Sequence, residues 1–337
     1  MAEGKIEMER RRLGTKGPTV GALGLGCMGM SDAYGPSDRR ESIATIQAAL
    51  DVGVTLLDTG DFYGMGHNEM LIAEAIKGRR DQVVLSVKFG ALRDPAGAFL
   101  GANARPAAVK TALAYSLQRL GVDHVDRYRP ARLDPDVPVE ETIGAIAEMV
   151  QAGYVRHIAL SEVGPLSLRR AAAVHPIADL QIEYSLLTRD IEEAILPTCR
   201  ELGIGVTAYG VLARGLLGGH LSADGNFGQS DYRARSPRFQ GANYAANLRL
   251  VEALRAVASR LDTTPAQVAI GWVLAQGPDI LPVVGARRRD RLTEALGAVD
   301  LKLSARDLRE IERAVPKGAA AGENYPPAVA ATIRRAD

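Results

Sequence analysis

Thr55-Leu56-Leu57-Asp58-Thr59-Gly60-Asp61-Phe62-Tyr63-Gly64 reads as a short apolar strand ending in a carboxylate, with a phenol five residues later on a Gly-flanked loop. Thirty residues after Asp58, a second apolar run, Val83-Val84-Leu85-Ser86-Val87-Lys88, ends in a lone lysine. Between the two runs lies a helix from about Asn68 to Lys77, stopped by Gly78. Two strands joined through a helix are parallel neighbours, so their polar ends lie side by side.

The same alternation continues on both sides. Residues 8–19 hold two short segments around a Gly/Lys/Gly/Pro turn, a small hairpin, and the glycine-dense run from Val20 to Met30 reads as a strand leading into a loop. Asp38 and Glu41 form a capping box before the stripe Ile43, Ile46 and Leu50. After Lys88 comes a polar loop, then a helix over Pro106–Leu120 with Pro106 in its first turn and Gly121 closing it. Further strands are expected at Val122–Arg132, Val155–Ser161, Ala178–Tyr184, Ile204–Tyr209 and Ile280–Gly285. Helices are expected over Val139–Ala152, Ser167–Val174, Ile191–Leu202, Tyr244–Leu261, Pro265–Gln276, Arg289–Leu296 and Ala305–Ala314. Gly210 to Asn243 has few apolar residues and reads as a surface excursion. Eight short strands with helices between them give an α/β fold, a closed (β/α)8 TIM barrel formed by residues 1–337 as one domain. No GxGxxG run opens a helix with an acidic residue about 20 positions on, which disfavours a doubly wound open sheet.

The totals agree with that class. The 337 residues are 47% apolar and 24% charged, and 41 basic residues nearly cancel 40 acidic ones, so no bulk field points to nucleic acid or a membrane. No apolar run approaches the roughly 20 residues of a membrane helix, and Met1 to Arg12 is charged, unlike a signal peptide. Two cysteines, Cys27 and Cys199, make no disulfide framework and suit a reducing cytoplasm. The five histidines show no HxxxH or HxH pair, so no metal site is expected.

Asp58, Lys88, the 129–132 region, Ser161, Glu162, Gln181 and Tyr209 all fall at strand C-termini, where barrels carry their chemistry. A free phenol, with a pKa of about 10, is a poor acid at neutral pH. An ammonium beside it favours the phenolate, and a carboxylate holds the ammonium in place. Such a phenol protonates a carbonyl oxygen as hydride reaches the carbon, and the hydride comes from a cofactor. Taken singly, each residue has a plainer role: the aspartate as a turn former, the lysine as a solvated group, the tyrosine as partial packing.

The chain resembles the aldo-keto reductase family over nearly its whole length. The resemblance rests on Leu23-Gly24-Leu25-Gly26-Cys27-Met28-Gly29-Met30-Ser31, Leu57-Asp58-Thr59 with Tyr63-Gly64, Asn68-Glu69, Val87-Lys88-Phe89-Gly90 and Thr207-Ala208-Tyr209. The hairpin start, Gln181-x-Glu183-Tyr184-Ser185-Leu186 and Arg238-Phe239-Gln240-Gly241 resemble its bacterial branch. The resemblance implies a (β/α)8 barrel and reversible, NADPH-dependent reduction of aldehydes and ketones, with Asp58, Tyr63 and Lys88 as catalytic residues. The family's fourth member, a histidine that orients the carbonyl, is replaced here: aligning Asp126, Tyr128, Asp134 and Pro135 puts Ala131 in its place. Arg129 lies two residues back on the same strand face and is the candidate substitute donor; its alternative role is a buried ion pair with a barrel carboxylate. His67 is a second, weaker candidate, and His124 lies at the wrong end of its strand.

For the cofactor, the resemblance implies that Gly26, Met28 and Asp58 border the site, that Ser161, Glu162 and Gln181 hold the carboxamide, and that Tyr209 stacks on the nicotinamide. Gly210, Leu212, Arg214 and Leu217 would cover the pyrophosphate. Gly285, Arg287 and Arg291, in a run with Arg288 and Arg289, would take the 2′-phosphate, which favours NADPH over NADH; Glu294 would meet the adenine. The partner expected is a small-molecule carbonyl substrate, and self-association into a homo-oligomer stays open. A competing function is a regulatory barrel that binds NADPH and turns over little, similar to potassium-channel β-subunits; Ala131 is the residue that favours it.

Overall fold

A computed structural model describes residues 8–221, 224–228 and 231–325. The start of the charged N-terminal stretch therefore lies outside the described residues. In chain order the strands are β1 (Arg10–Arg12), β2 (Thr19–Gly21), β3 (Gly24–Gly26), β4 (Leu56–Gly60), β5 (Val84–Phe89), β6 (Ala91–Arg93), β7 (Phe99–Ala102), β8 (Val125–Pro130), β9 (Val155–Ser161), β10 (Ile177–Glu183), β11 (Gly205–Tyr209) and β12 (Ile280–Gly285). The helices are α1 (Arg39–Asp51), α2 (His67–Ala75), α3 (Pro106–Leu120), α4 (Val139–Gln151), α5 (Pro165–Val174), α6 (Ile195–Leu202), α7 (Gly241–Arg260), α8 (Pro265–Leu274), α9 (Arg289–Leu296) and α10 (Ala305–Ala314).

Eight strands, in the order β10-β11-β12-β3-β4-β5-β8-β9, close into a barrel whose printed pairings are all parallel. That is the (β/α)8 architecture. The antiparallel hairpin β1–β2 lies across the N-terminal end of the barrel, where Leu13 and Val20 pack on Leu56, Leu281 and Val283 as an apolar plug. The approach is so close that a Cβ on Gly205 would lie 2.5 Å from the backbone nitrogen of Gly14, which itself sits at φ +61°. Glycine is required there by space at one position and by conformation at the other.

Alternation along the strands decides which side chains enter the barrel. Asp58 pairs with Ser86 and Gly60 with Lys88, Ser86 in turn with Arg127 and Lys88 with Arg129. Above the apolar plug the interior therefore turns polar, with Arg127, Arg129 and Asp179 fully buried. The intervening Tyr128 points outward, and its hydroxyl donates to the Val109 carbonyl on α3 at 3.0 Å.

Three expectations shift. The polar loop after Lys88 is a second hairpin, β6–β7, because its alternating residues pair with each other beyond the rim. Gly210 to Asn243 is not wholly a surface excursion: Ala213, Leu216, Leu217, Arg238 and Phe239 are buried, and Phe239 packs with Phe227 and Tyr244. A few large side chains in a polar stretch suffice to fold it back onto α7 and α8. The helix expected from Tyr244 begins at Gly241, capped by Gln240. No described helix is long and apolar enough to cross a membrane.

Candidate active site

Asp58 is the centre of the polar interior. Its Oδ1 pairs with the Lys88 ammonium, while Oδ2 accepts from Ser86 Oγ at 3.0 Å and Gln181 Nε2 at 2.7 Å. Burial would raise the Asp58 carboxyl, but the neighbouring charges of Lys88 and Arg129 and the bonds from Lys88 and Gln181 outweigh it and hold it below the usual carboxylate range. Burial pulls the Lys88 ammonium down to about 8 against the opposing pull of Asp58. The Lys88 Nζ lies 5.1 Å from the centre of the Tyr63 ring.

Tyr63 stands on a turn in which Gly64, Met65 and Gly66 all have positive φ, of 57°, 53° and 95°. Asn68 ties this turn down: it accepts from Thr59 Oγ1 at 2.7 Å and donates to the Cys27 carbonyl at 2.8 Å and to Ser31 Oγ at 2.9 Å. The Tyr63 phenol is pushed well above its ordinary value, first by burial and then by Asp58 and Tyr34; the opposing positive charges are those of Arg132 and Arg129. The phenol is therefore protonated at neutral pH.

Asp61, two residues before Tyr63, accepts from the Gly90 N–H at 3.2 Å through Oδ2, while its Oδ1 is buried without a partner. Burial raises this carboxyl to about 6. Below about pH 4 it is protonated folded or unfolded. Between there and about 6 the unfolded chain loses the proton first, so stability is lost as pH rises. Asp61→Asn should therefore stabilise the protein at pH 7–8 by about 1–2 kcal/mol, allowing for solvent screening. The gain should vanish below about pH 4. Urea midpoints across that range check it; a gain independent of pH would contradict it.

Ala131 continues β8 at the rim, its N–H on the Phe89 carbonyl at 2.8 Å, and is buried. Arg129 enters the interior as alternation predicts, but its two terminal nitrogens are engaged below the rim, Nη2 on Ser86 Oγ at 2.5 Å and Nη1 on Asp179 Oδ2 at 3.2 Å. His67 is held by Ser31 Oγ at 2.9 Å and lies against Arg39, and His124 binds Asp123 beside the start of β8.

The residues assigned to the cofactor gather along one side of the rim. Gly26 pairs with Asp58 and Gly285 across the sheet, Met28 opens the turn after β3, and buried Ser161 lies in register with Gln181. Glu162 has φ +53° and accepts from the Glu183 N–H at 3.0 Å; burial raises its carboxyl. The Tyr209 hydroxyl bonds Tyr325. Gly210 (φ +65°) and Leu212 lead to Arg214, which pairs with Glu183 at 3.2 Å and Asn324 and lies over the Tyr232 and Tyr325 rings. The Leu217 side chain is buried and its N–H bonds the Leu212 carbonyl at 3.1 Å. Arg287 clasps the carbonyls of Tyr34, Gly35 and Pro36, and Arg291 pairs with Glu294, which also binds His220.

These residues fit a phosphorylated dinucleotide. At the start of α9 the Glu41 carboxylate accepts from both the backbone N–H and the guanidinium of Arg289, at 3.0 and 3.1 Å, so an anion is already accommodated at this helix end. Arg288 and Arg289 pair with the exposed Asp290 and the partly exposed Glu41, which exchange for a phosphate at little cost, while Arg291 pairs with the more deeply set Glu294 and with His220. A cavity of about 320 Å³ opens beside them, lined by Pro36, His220, Phe227 and Arg233 among others. None of Asp58, Tyr63 or Lys88 lines it; Pro36 and His220 connect it to Arg287 and Arg291.

Sequence reasoning placed Arg132 at the end of its strand without giving it a role, and missed Tyr325 and Asn324. Arg132 follows Ala131 directly, and its charge acts on the Tyr63 phenol. The Asn324-Tyr325 pair comes from the far end of the chain and left no local signal.

Residues 22–316 match the model of the aldo/keto reductase family. A probable aldo-keto reductase 1 of Glycine max is 42% identical over 323 residues, covering 95% of this chain and 93% of that one. The Schizosaccharomyces pombe aldo-keto reductase yakc [NADP(+)] is 38% identical, covering 97% of each chain. Among solved structures, the glycerol dehydrogenase AKR11B4 from Gluconobacter oxydans superposes with a TM-score of 0.82 at 27% identity, covering 91% of this chain and 96% of that one. With sequence, barrel and relay in agreement, the chain belongs to the aldo/keto reductase family.

Proposed function

We propose that the protein is an NADPH-dependent oxidoreductase that reduces an aldehyde or ketone to the alcohol, with Tyr63 as the proton donor. The observation that carries this reading is the buried Asp58–Lys88 pair with its ammonium 5.1 Å from the Tyr63 ring centre, at the C-terminal rim of the barrel. When bound, the dinucleotide supplies hydride to the carbonyl carbon. Ser161 and Gln181 would hold the carboxamide, Tyr209 would face the ring, and Arg287, Arg289 and Arg291 would hold the phosphate end. Tyr63 gives its proton to the carbonyl oxygen, and the Lys88 charge steadies the phenolate left behind. Asp58 keeps the ammonium in place through each turnover.

Ala131 supports a second reading, a barrel that binds NADPH and turns over little. One missing donor at a reacting oxygen costs roughly 10²–10³ in rate. NADPH consumption against a panel of aldehydes, ketones and quinones separates the two. Turnover of at least one carbonyl, with NADPH preferred to NADH, is the expected result. Tight NADPH binding with no turnover across the panel would establish the second reading and remove the first.

A further inference from the structure

The polar interior carries more positive charge than it neutralises. Lys88, Arg127 and Arg129 face just two carboxylates, Asp58 and Asp179, and all five are buried. Asp179 Oδ2 accepts from Arg127 Nη2 at 2.5 Å, Arg129 Nη1 at 3.2 Å and Thr207 Oγ1 at 2.7 Å, so one oxygen serves both guanidiniums. Arg127 Nε and Nη1 and Arg129 Nε have no partner. Such an arrangement is costly to bury, and stability alone would be better served by apolar side chains.

The two arginines also connect to the relay. Arg129 Nη2 donates to Ser86 Oγ, Ser86 Oγ donates to Asp58 Oδ2, and Asp58 Oδ1 holds Lys88. Arg129 Nη2 itself lies 4.0 Å from Asp58 Oδ2. We propose that Arg129, backed by Arg127, is a positioning residue of the relay. Through Ser86 it fixes Asp58, and its buried charge makes Tyr63 a readier proton donor where Ala131 leaves the carbonyl without its usual partner. Arg129 thus acts on the reaction from beneath and not by touching the substrate.

The inference rests on Tyr63 being the acid. The charged and titratable groups around Lys88 are Asp58 on β4, Cys27 after β3, Arg127 and Arg129 on β8, Asp179 on β10 and the Tyr63 phenol. Around Tyr63 they are Asp58, Tyr34, Arg132, Arg129, Arg93 and the Lys88 ammonium against its ring. Arg129 opposes protonation of both Lys88 and Tyr63, alongside burial, which disfavours the lysine's charge. Reduction by the wild type, at saturating NADPH, should fall as pH passes about 8. In Arg129→Met that alkaline limb should move up by about one unit and the rate at pH 7 should drop roughly tenfold. Arg129→Lys, which keeps the charge, should hold the limb near its wild-type position. Ser86→Ala, which removes a single oxygen and keeps all the buried charges, should lower kcat several-fold with KM and NADPH affinity unchanged. An Arg129→Met profile superimposed on wild type, or an unchanged kcat in Ser86→Ala, overturns the proposal. Turnover surviving Tyr63→Phe would instead sink the underlying reading of the acid, which keeps the two failures apart.

Discussion

Tyr63→Phe lowers kcat for carbonyl reduction by about 10²–10⁴, the contribution expected of a positioned general acid. The substitution removes one oxygen. The ring still packs edge-on against Phe62, 4.8 Å between centres, and still lies against the Lys88 ammonium. The Asp58–Lys88 pair and its partners Ser86 and Gln181 do not touch that oxygen, so the fold and NADPH affinity should be unchanged. A selective loss of kcat is therefore the signature, read by steady-state kinetics beside fluorescence titration of NADPH. Equal turnover by both proteins would remove Tyr63 from the mechanism.

Asp179→Asn should carry the largest cost in stability, about 3–5 kcal/mol, because it leaves buried guanidiniums uncompensated. The side chain is fully buried and one oxygen takes three hydrogen bonds, two of them from arginines. An amide keeps the shape but removes the charge, leaving Asp58 alone against Lys88, Arg127 and Arg129. The comparison is Glu140→Gln, which breaks a two-bond pair with Arg170 on the surface, both bonds at 2.7 Å. That variant should leave the urea midpoint where it was, since exposed pairs are offset by solvent and side-chain entropy. If Asp179→Asn were as stable as Glu140→Gln, the interior layer would be energetically idle.

Much of the site was legible because barrel chemistry follows a simple rule. Asp58 and Lys88 lie at the ends of consecutive apolar runs, and parallel pairing brings Gly60 level with Lys88. The phenol follows at the one loop the two strands share. Arg129 was legible as inward-facing by alternation with Ala131. Its partners were not, because Ser86 and Asp179 lie 43 and 50 residues away in sequence, and only barrel closure brings them together. The β6–β7 hairpin escaped for a different reason. Its two arms pair with each other beyond the rim and lack the apolar run of a buried strand. Tyr325 was out of reach because its contact with Tyr209 spans 116 residues.

By itself the sequence determined the alternation of strand and helix, the closed barrel and the kinship, and it placed an acid, a phenol and an amine at the ends of two successive strands. Each of these is written in local periodicity or in short motifs whose spacing is set by the length of one strand and one helix. Only the tertiary structure decided how the relay is held. β8 pairs with the strand of Lys88, and barrel closure brings Asp179 of β10 to Arg127 and Arg129, which gathers three cations around two carboxylates and leaves Arg129 bonded to Ser86. The balance of charge in a buried interior is a sum over strands far apart in the chain, and no local stretch of sequence contains it.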